Sequence, residues 1–242
     1  MSCYRKRYEK VAARVAAACE RSHRSPDEVR ILPVSKTHPI PELEAALEAG
    51  ACEFGENRPQ ELARKAMALA DTPHPPRWVQ IGSLQRNKAK LIVAHASEFQ
   101  ALDSLRLAQT LSRLLTSAQR ELAVMIEVNT SGESAKHGVA PAEASELARQ
   151  VIDLPGLQLR GMMTVAAPLE TAGAAAVRRS FTQLRQLRDD ICALPGGDNC
   201  RELSMGMSGD FELAIECGTT CVRIGTLLFG PRLLPNPTPP EK

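Results

Sequence analysis

Lys36 stands directly after LPVS at 32–35, a short run with the composition of a β-strand. If this strand ends at the mouth of a parallel barrel, the lysine side chain is partly removed from water. Desolvation lowers the pKa of an ammonium group, and the neutral amine can then attack a carbonyl carbon to form a Schiff base. An ordinary surface lysine in the first loop is the alternative that position alone leaves open.

Two segments near the end of the chain have the composition of an anion site. Residues 204–210, SMGMSGD, precede a predicted helix, and residues 223–226, RIGT, end an apolar run. N–H groups in the first turn of a helix lack internal partners and attract anions, while glycine permits close approach of the backbone. Barrels often hold phosphate between the loops that follow strands seven and eight. The alternative for Ser208 is that its hydroxyl caps its own helix.

To meet at one site, these residues need elements that end at the same edge of the fold. The chain alternates short apolar runs with helix-length segments that carry proline near the start or glycine past the end. The runs are 29–35, 52–55, 78–82, 98–102, 122–128, 157–165, 201–205 and 221–225. Eight such strands predict an α/β fold, a single (β/α)8 TIM barrel, with an open doubly wound sheet as the alternative.

The repeat continues along the chain with no change in composition that would mark a second domain. We therefore predict one domain over residues 1–234, with an extra amphipathic helix at 2–21 and a flexible, proline-rich tail at 235–242. The extra helix either covers one end of the barrel or joins its outer ring.

Polar residues and glycines follow the predicted strands at their carboxyl ends, where barrels of this type carry their chemistry. They are Lys36, Glu56, Asn57, Ser83, Asp103, Asn129, Thr164, Ser208, Gly225 and Thr226. We expect the fold to direct them toward one mouth. His38 is close to Lys36 in the chain, and we expect it to be a solvent-exposed loop residue, with a position facing the mouth as the alternative.

The composition excludes several other classes of protein. The 30 basic and 28 acidic residues give a net charge of +2, too balanced for a protein whose affinity depends on nucleic-acid phosphates, and aromatic residues make up only 3%. No run approaches the roughly 20 apolar residues of a membrane span. The five histidines have no metal-type spacing. With an odd number of cysteines and no export signal, we expect the cytoplasm.

Seven short motifs occur in a characteristic order. They are VSKT at 34–37, FGEN at 54–57, IGSLQRNK at 81–88, IEVN at 126–129, GMMT at 161–164, LSMGMS at 203–208 and VRIGT at 222–226. Together they closely resemble the pyridoxal phosphate homeostasis protein family, over about residues 30–230. The sequence departs from the family pattern at Arg58-Pro59, Val79-Gln80 and Gly209, all beside the expected site.

The resemblance implies the barrel of alanine-racemase type, which is fold type III of the pyridoxal 5'-phosphate (PLP) proteins. It implies that Lys36 forms a Schiff base with PLP and that Arg223 faces the pyridine nitrogen. Ser208, Gly225 and Thr226 would then hold the phosphate. Asn57 and Met205 complete the set of residues that we expect to bind the cofactor.

An arginine opposite the ring nitrogen argues against an efficient enzyme. A guanidinium only donates hydrogen bonds, so the nitrogen stays unprotonated and the ring is a weaker electron sink. Related racemases compensate with a tyrosine base on a partner's extra β domain. We expect no such domain here, and both tyrosines, Tyr4 and Tyr8, lie in the predicted first helix.

The resemblance therefore implies a PLP carrier or regulator in vitamin B6 homeostasis, without a fixed catalytic cycle. We expect it to be a monomer whose partners are PLP-accepting apo-enzymes. An amino-acid racemase-like enzyme is the first alternative. A barrel that binds another phosphate ester is the second.

Overall fold

Eight strands form one parallel sheet in the computed structural model, which describes residues 3–133 and 136–231. The strands are β1 Arg30–Pro33, β2 Glu53–Glu56, β3 Arg77–Gln80, β4 Glu98–Leu102, β5 Leu122–Glu127, β6 Leu157–Met163, β7 Glu202–Met207 and β8 Cys221–Ile224. Their order in the sheet is β1-β8-β7-β6-β5-β4-β3-β2. A parallel bridge between Val34 and Gly55 joins its two ends, and the Ser35 N–H donates to the Gly55 carbonyl over 3.0 Å. The predicted barrel is confirmed.

Helices follow the strands and cover the outside of the sheet. They are α1 Cys3–Arg21, α2 Ile40–Glu48, α3 Pro59–Ala68, α4 Ala89–His95, α5 Leu105–Ala118, α6 Ala144–Ile152, α7 Leu169–Cys192, α8 Phe211–Glu216 and α9 Thr226–Phe229. Proline at the first position starts α3, where its missing N–H costs no helical hydrogen bond. In α5, Leu107, Leu111 and Leu115 recur on one face and are buried, which attaches the helix to the sheet.

The first helix joins the outer ring instead of covering an end of the barrel. Its buried residues, Val11 and Val15 among them, belong to the main core. Arg14 stacks over the Phe211 ring of α8, 4.7 Å from its centroid. Its Nε atom also pairs with Glu212 Oε1 over 3.0 Å. At the other end of α1, the Tyr4 ring lies 5.4 Å from that of Phe229 in α9. The first helix thus holds the two helices that follow β7 and β8.

A chain of hydrogen bonds crosses the barrel from the start of β1 toward the end of β8. Arg30 donates two bonds of 2.9 Å to the Glu98 carboxylate, which also accepts from Gln100 Nε2 over 2.6 Å. The Gln100 Oε1 atom accepts from the Ser204 hydroxyl over 2.7 Å, and that hydroxyl accepts from Arg223 Nη1 over 2.6 Å. Buried polar groups are stable when they have hydrogen-bond partners. These bonds supply partners along the barrel interior, while Arg30 Nε has no hydrogen bond among the described residues and lies 3.7 Å from Glu53 Oε1.

The two terminal segments predicted from the sequence differ in how much of them the structure describes. The predicted helix at 2–21 corresponds to α1, whose described bounds are Cys3–Arg21. The tail at 235–242 lies outside the described residues. In the described ranges, no helix is long and apolar enough to cross a membrane, and no cluster of three or more metal-ligating side chains occurs.

Candidate functional site

A cavity of about 850 Å³ opens at the carboxyl ends of the strands. Of the seven predicted cofactor-binding residues, six line its wall: Lys36, Asn57, Ser208, Arg223, Gly225 and Thr226. Ser83, another residue expected at the mouth, lines it as well. The volume is in the range of cavities that hold small cofactors. Residues from the loops after β1, β2, β3, β7 and β8 therefore meet where the sequence expected them.

Met205 is the predicted residue that does not line this cavity. Its side chain is fully buried in the main core. The reason is the period of a β-strand: successive side chains point to opposite faces. Ser204, the residue before it, faces the barrel interior and bonds to Gln100 and Arg223, so Met205 points outward toward the helices.

Four further residues expected at the mouth do not line the cavity. They are Glu56, Asp103, Asn129 and Thr164. Glu56 is fully buried and accepts a hydrogen bond from the Lys65 ammonium. The Thr164 hydroxyl donates to the Val128 carbonyl over 2.7 Å. Glu56 and Thr164 therefore bond to neighbouring segments behind the cavity wall.

The loops after β7 and β8 bring two hydroxyl groups together. The Ser208 and Thr226 hydroxyl oxygens lie 3.5 Å apart, and Gly209 and Gly225 stand beside them on the same wall. No backbone–backbone hydrogen bond between described residues uses the N–H groups of Ser208, Gly209 or Gly225. Hydroxyls and N–H groups without a backbone partner can donate hydrogen bonds, so their presence on one wall suits a bound anion.

Ser208 does not cap its own helix, so that alternative is wrong. The helix α8 begins at Phe211, and Asp210 occupies the N-cap position. The Asp210 carboxylate accepts the Met207 N–H over 2.6 Å. Asp210 therefore closes the turn after β7 and leaves the Ser208 side chain on the cavity wall.

Arg223 has a buried guanidinium fixed by three hydrogen bonds. Its Nη1 atom donates to the Ser204 carbonyl and hydroxyl over 2.8 and 2.6 Å, and Nη2 donates to the Thr164 carbonyl over 2.8 Å. A guanidinium has five N–H donors, so Nε and one Nη2 hydrogen are not used by these bonds. Arg223 is 4% exposed and still lines the cavity, so its position is rigid and it can face a bound ring.

The cavity also contains a carboxyl group that the sequence analysis did not single out. Glu127 ends β5, is 7% exposed and lines the wall. Burial raises its pKa to about 7, and Asp103 adds to the effect while Arg223 opposes it. The pattern IEVN contains this residue, but its burial depends on neighbouring strands. Glu127 therefore changes its charge near neutral pH.

The expectation that His38 is exposed to solvent is wrong. It is 5% exposed, its Nδ1 atom lies 2.9 Å from Glu42 Oε2, and its ring stacks on Phe229 at 5.0 Å. The covering ring comes from α9, which is far away in the sequence. His38 lines the cavity and connects its wall to α9.

A TIM barrel with a lysine after its first strand and a pair of hydroxyl groups after strands seven and eight places the chain among proteins with an alanine-racemase type barrel. The family described as alanine racemase, N-terminal domain, matches residues 8–233 of this chain. Alanine racemase of Clostridium difficile 630 in complex with cycloserine superposes with a TM-score of 0.71 at 13% identity, over 89% of this chain and 57% of that chain. That likeness shows the fold.

The relatives define the family more narrowly. The pyridoxal phosphate homeostasis protein of Pseudomonas aeruginosa is 43% identical over 232 residues, covering 96% of this chain and 97% of the relative. PipY of Synechococcus elongatus PCC7942, solved with PLP bound, is 35% identical with a TM-score of 0.78, over 91% of this chain and all of that chain (100%). The chain belongs to the pyridoxal phosphate homeostasis protein family.

Proposed function

We propose that this protein binds PLP as a Schiff base on Lys36 and acts in intracellular vitamin B6 homeostasis. The observation that carries the proposal is that Lys36 and the pair of hydroxyls on Ser208 and Thr226 line one cavity. When bound, PLP supplies an aldehyde that condenses with a lysine amine and a phosphate that accepts hydrogen bonds. The solved PLP complex of PipY supports the choice of ligand.

The donors of the cavity fit this ligand. The Ser208 and Thr226 hydroxyls, with the N–H groups beside them, bind the phosphate at one end of the cavity. The unused N–H donors of Arg223 face the ring nitrogen and keep it unprotonated, because a guanidinium has no acceptor atom. Lys36 is half-buried on the wall, which limits access of water to its amine. Asn57 gives a further polar contact, and Met205 supports β7 from the core.

A carrier or regulator without a fixed catalytic cycle is the role that we propose. Related racemases use a tyrosine as the second base on the far face of the substrate, and Tyr4 and Tyr8, the tyrosines of this chain, both lie in α1. Glu127 is an acid–base group on the cavity wall, and the turnover experiment below tests whether it takes that role. Tyr4 is buried against Phe229, and neither tyrosine lines the cavity. With Arg223 at the ring nitrogen, the chain's own residues favour holding PLP over stabilising a carbanion.

The physiological partners that we propose are PLP-accepting apo-enzymes in the cytoplasm, with this protein acting as a monomer. A Schiff base is reversible, so a bound cofactor can be released and taken up by another protein. Addition of the PLP-loaded protein to an apo-enzyme tests this step. Recovery of that enzyme's activity is expected.

The first experiment is the visible absorbance spectrum of the purified protein with PLP, before and after borohydride. A reducible band is expected, and peptide mass mapping of the reduced protein should find the label on Lys36. Lys36→Ala should remove the band and retain weak, phosphate-dependent affinity, whereas Lys90→Ala, at an exposed position of α4, should behave as wild type. A label on another lysine of the wild type, or no band, would contradict the proposal.

The same protein preparation separates a carrier from an enzyme. Wild type loaded with PLP is incubated with L-amino acids, and the formation of D-amino acids is followed over many equivalents. No steady turnover is expected. Steady turnover that disappears in Lys36→Ala would instead establish the racemase alternative.

A further inference from the structure

Lys65 is a fully buried lysine that the proposed binding site does not use directly. It lies on α3, is 0% exposed, and donates to three oxygen atoms. Its Nζ atom is 2.6 Å from Glu56 Oε1, 2.7 Å from the Ser35 carbonyl and 2.8 Å from Glu61 Oε1. Burying an ammonium group removes its favourable solvation by water, so a buried lysine is rare without such partners. Lys65, Glu56 and Glu61 thus form a buried charged cluster.

The cluster holds the backbone on both sides of Lys36. On the preceding residue, the Ser35 carbonyl accepts from Lys65, and the Ser35 hydroxyl donates to Glu56 over 2.6 Å. On the following residue, the Thr37 N–H donates to Glu61 Oε1 over 2.7 Å. Three connected side chains from β2 and α3 therefore fix the two neighbours of the lysine.

The backbone at Thr37 needs such support. Its φ angle is +70°, in the left-handed region, which is sparsely populated by residues other than glycine and carries a conformational cost. A hydrogen bond between its N–H and a carboxylate opposes that cost. Burial acts to raise the pKa of Glu61, but the hydrogen bonds from Lys65 and Thr37 outweigh it and lower the pKa. Glu61 is therefore an anion at neutral pH.

We propose that Lys65, with Glu56 and Glu61, is a positioning group that directs the amine of Lys36 into the cavity. The inference rests on the proposed function. Holding a nucleophile in place increases the rate and extent of bond formation because less freedom is lost when the bond forms. The phosphate is bound by the loops after β7 and β8, so the cluster should affect the covalent link and leave phosphate recognition unchanged.

The cluster has a member that can be removed without leaving Lys65 alone. Glu61 has a side chain that is 15% exposed, and after its loss Lys65 keeps the Glu56 carboxylate and the Ser35 carbonyl. Glu61→Ala removes the acceptor of the Thr37 N–H. Glu61→Gln keeps an acceptor oxygen and removes the charge. Glu146→Ala, on an exposed part of α6, is the matched control.

Two ligands separate positioning from general damage to the cavity. PLP forms the covalent link, whereas pyridoxine 5'-phosphate has the same ring and phosphate with an alcohol in place of the aldehyde. For Glu61→Ala we expect the PLP dissociation constant to rise about tenfold or more, with a change below twofold for pyridoxine 5'-phosphate. Glu61→Gln should recover part of the loss. In the ligand-free protein, amide hydrogen exchange at Thr37 should be faster in Glu61→Ala than in wild type or Glu146→Ala.

Equal losses for both ligands would overturn the proposal, because the cluster would then support the cavity as a whole. Unchanged PLP binding in Glu61→Ala would overturn it too. If Lys65→Met folds, its dissociation constant should also rise for PLP and stay nearly unchanged for pyridoxine 5'-phosphate. If Lys65→Met does not fold, Glu61→Ala alone is the test. The wild-type experiment comes first: absence of a PLP link to Lys36 there refutes the proposed function, while the exchange at Thr37 still reports on the cluster.

Discussion

The hydroxyl oxygens of Ser208 and Thr226 lie 3.5 Å apart, although 18 positions separate them in the chain. One follows β7 and the other begins α9 after β8. Their meeting depends on the parallel pairing of β7 with β8, in which Met207 stands opposite Arg223. This contact places two donors at the end of the cavity where we propose that the phosphate binds.

Removal of either hydroxyl should weaken binding of the phosphorylated cofactor. A hydrogen bond to a charged group contributes about 1.5–3 kcal/mol, so Ser208→Ala or Thr226→Ala should each lower PLP affinity by about 10- to 100-fold. Isothermal titration with PLP and with pyridoxal, which has no phosphate, is the measurement. Pyridoxal affinity should stay unchanged. Thr110→Ala, whose hydroxyl bonds only to its own helix at Arg106, serves as control. A similar loss for both ligands would contradict the assignment.

Arg223 is expected to stabilise the empty protein as well as to face the ring. Arg223→Lys loses the planar fork that reaches both the Ser204 and Thr164 carbonyls, so at least one buried acceptor loses a hydrogen bond. We expect a decrease of about 1–3 kcal/mol in the free energy of unfolding, measured by urea denaturation without PLP. Arg113→Lys, at an exposed position of α5, should change it little. Equal stability of the two variants would show that the three hydrogen bonds are dispensable.

Glu127 should make stability depend on pH near neutrality. Burial raises its pKa to about 7 in the folded protein, so its contribution is fully present below the unfolded value of about 4.5 and is lost as the pH rises through 7. Glu127→Gln cannot ionise. Between pH 5 and pH 8, the free energy of unfolding of the variant should therefore rise by on the order of 1–3 kcal/mol relative to that of wild type. Urea unfolding of both proteins at several pH values measures the difference, and a difference independent of pH would refute the titration.

Gly206 and Gly209 form a matched pair in the loop after β7. Gly206 has φ +94°, and a Cβ there would lie 2.6 Å from the Ala214 Cβ, whereas a Cβ on Gly209 would meet nothing within 4 Å. Gly206→Ala should therefore destabilise the protein by about 1–3 kcal/mol, by strain and overpacking. Gly209→Ala should be tolerated. Thermal unfolding of the two variants gives the comparison, and equal melting temperatures would count against the strained turn.

Much of the fold and part of the site could be predicted because their determinants are local. Apolar runs separated by helix-length segments are visible in any window of the chain, and parallel strands bring their carboxyl ends to one edge. Lys36, Ser208 and Thr226 each follow such a run, so their shared cavity could be expected from the order of the elements. The resemblance to the family added the ligand that we propose for this arrangement.

The positions of some side chains depend on which face of an element packs against which neighbour, and the sequence of their own segment does not show this. His38 was expected in solvent because its own segment is a polar loop, but Phe229 from the last helix covers it. Met205 lies one position from Ser204, and that single step moves its side chain from the barrel interior to the outer core. Lys65 stands in PQELARKAMA, where nothing distinguishes it from an exposed helical lysine.

The sequence by itself determined the eight-stranded barrel, the edge at which the site lies and the lysine that follows the first strand. Periodicity and strand ends are properties of short segments, so they can be read without the fold. Only the tertiary structure decided that Lys65 reaches the neighbours of Lys36 and that Arg30 connects to Arg223 through the barrel. Such contacts join buried polar groups from distant segments, and the register of the closed sheet sets their distances.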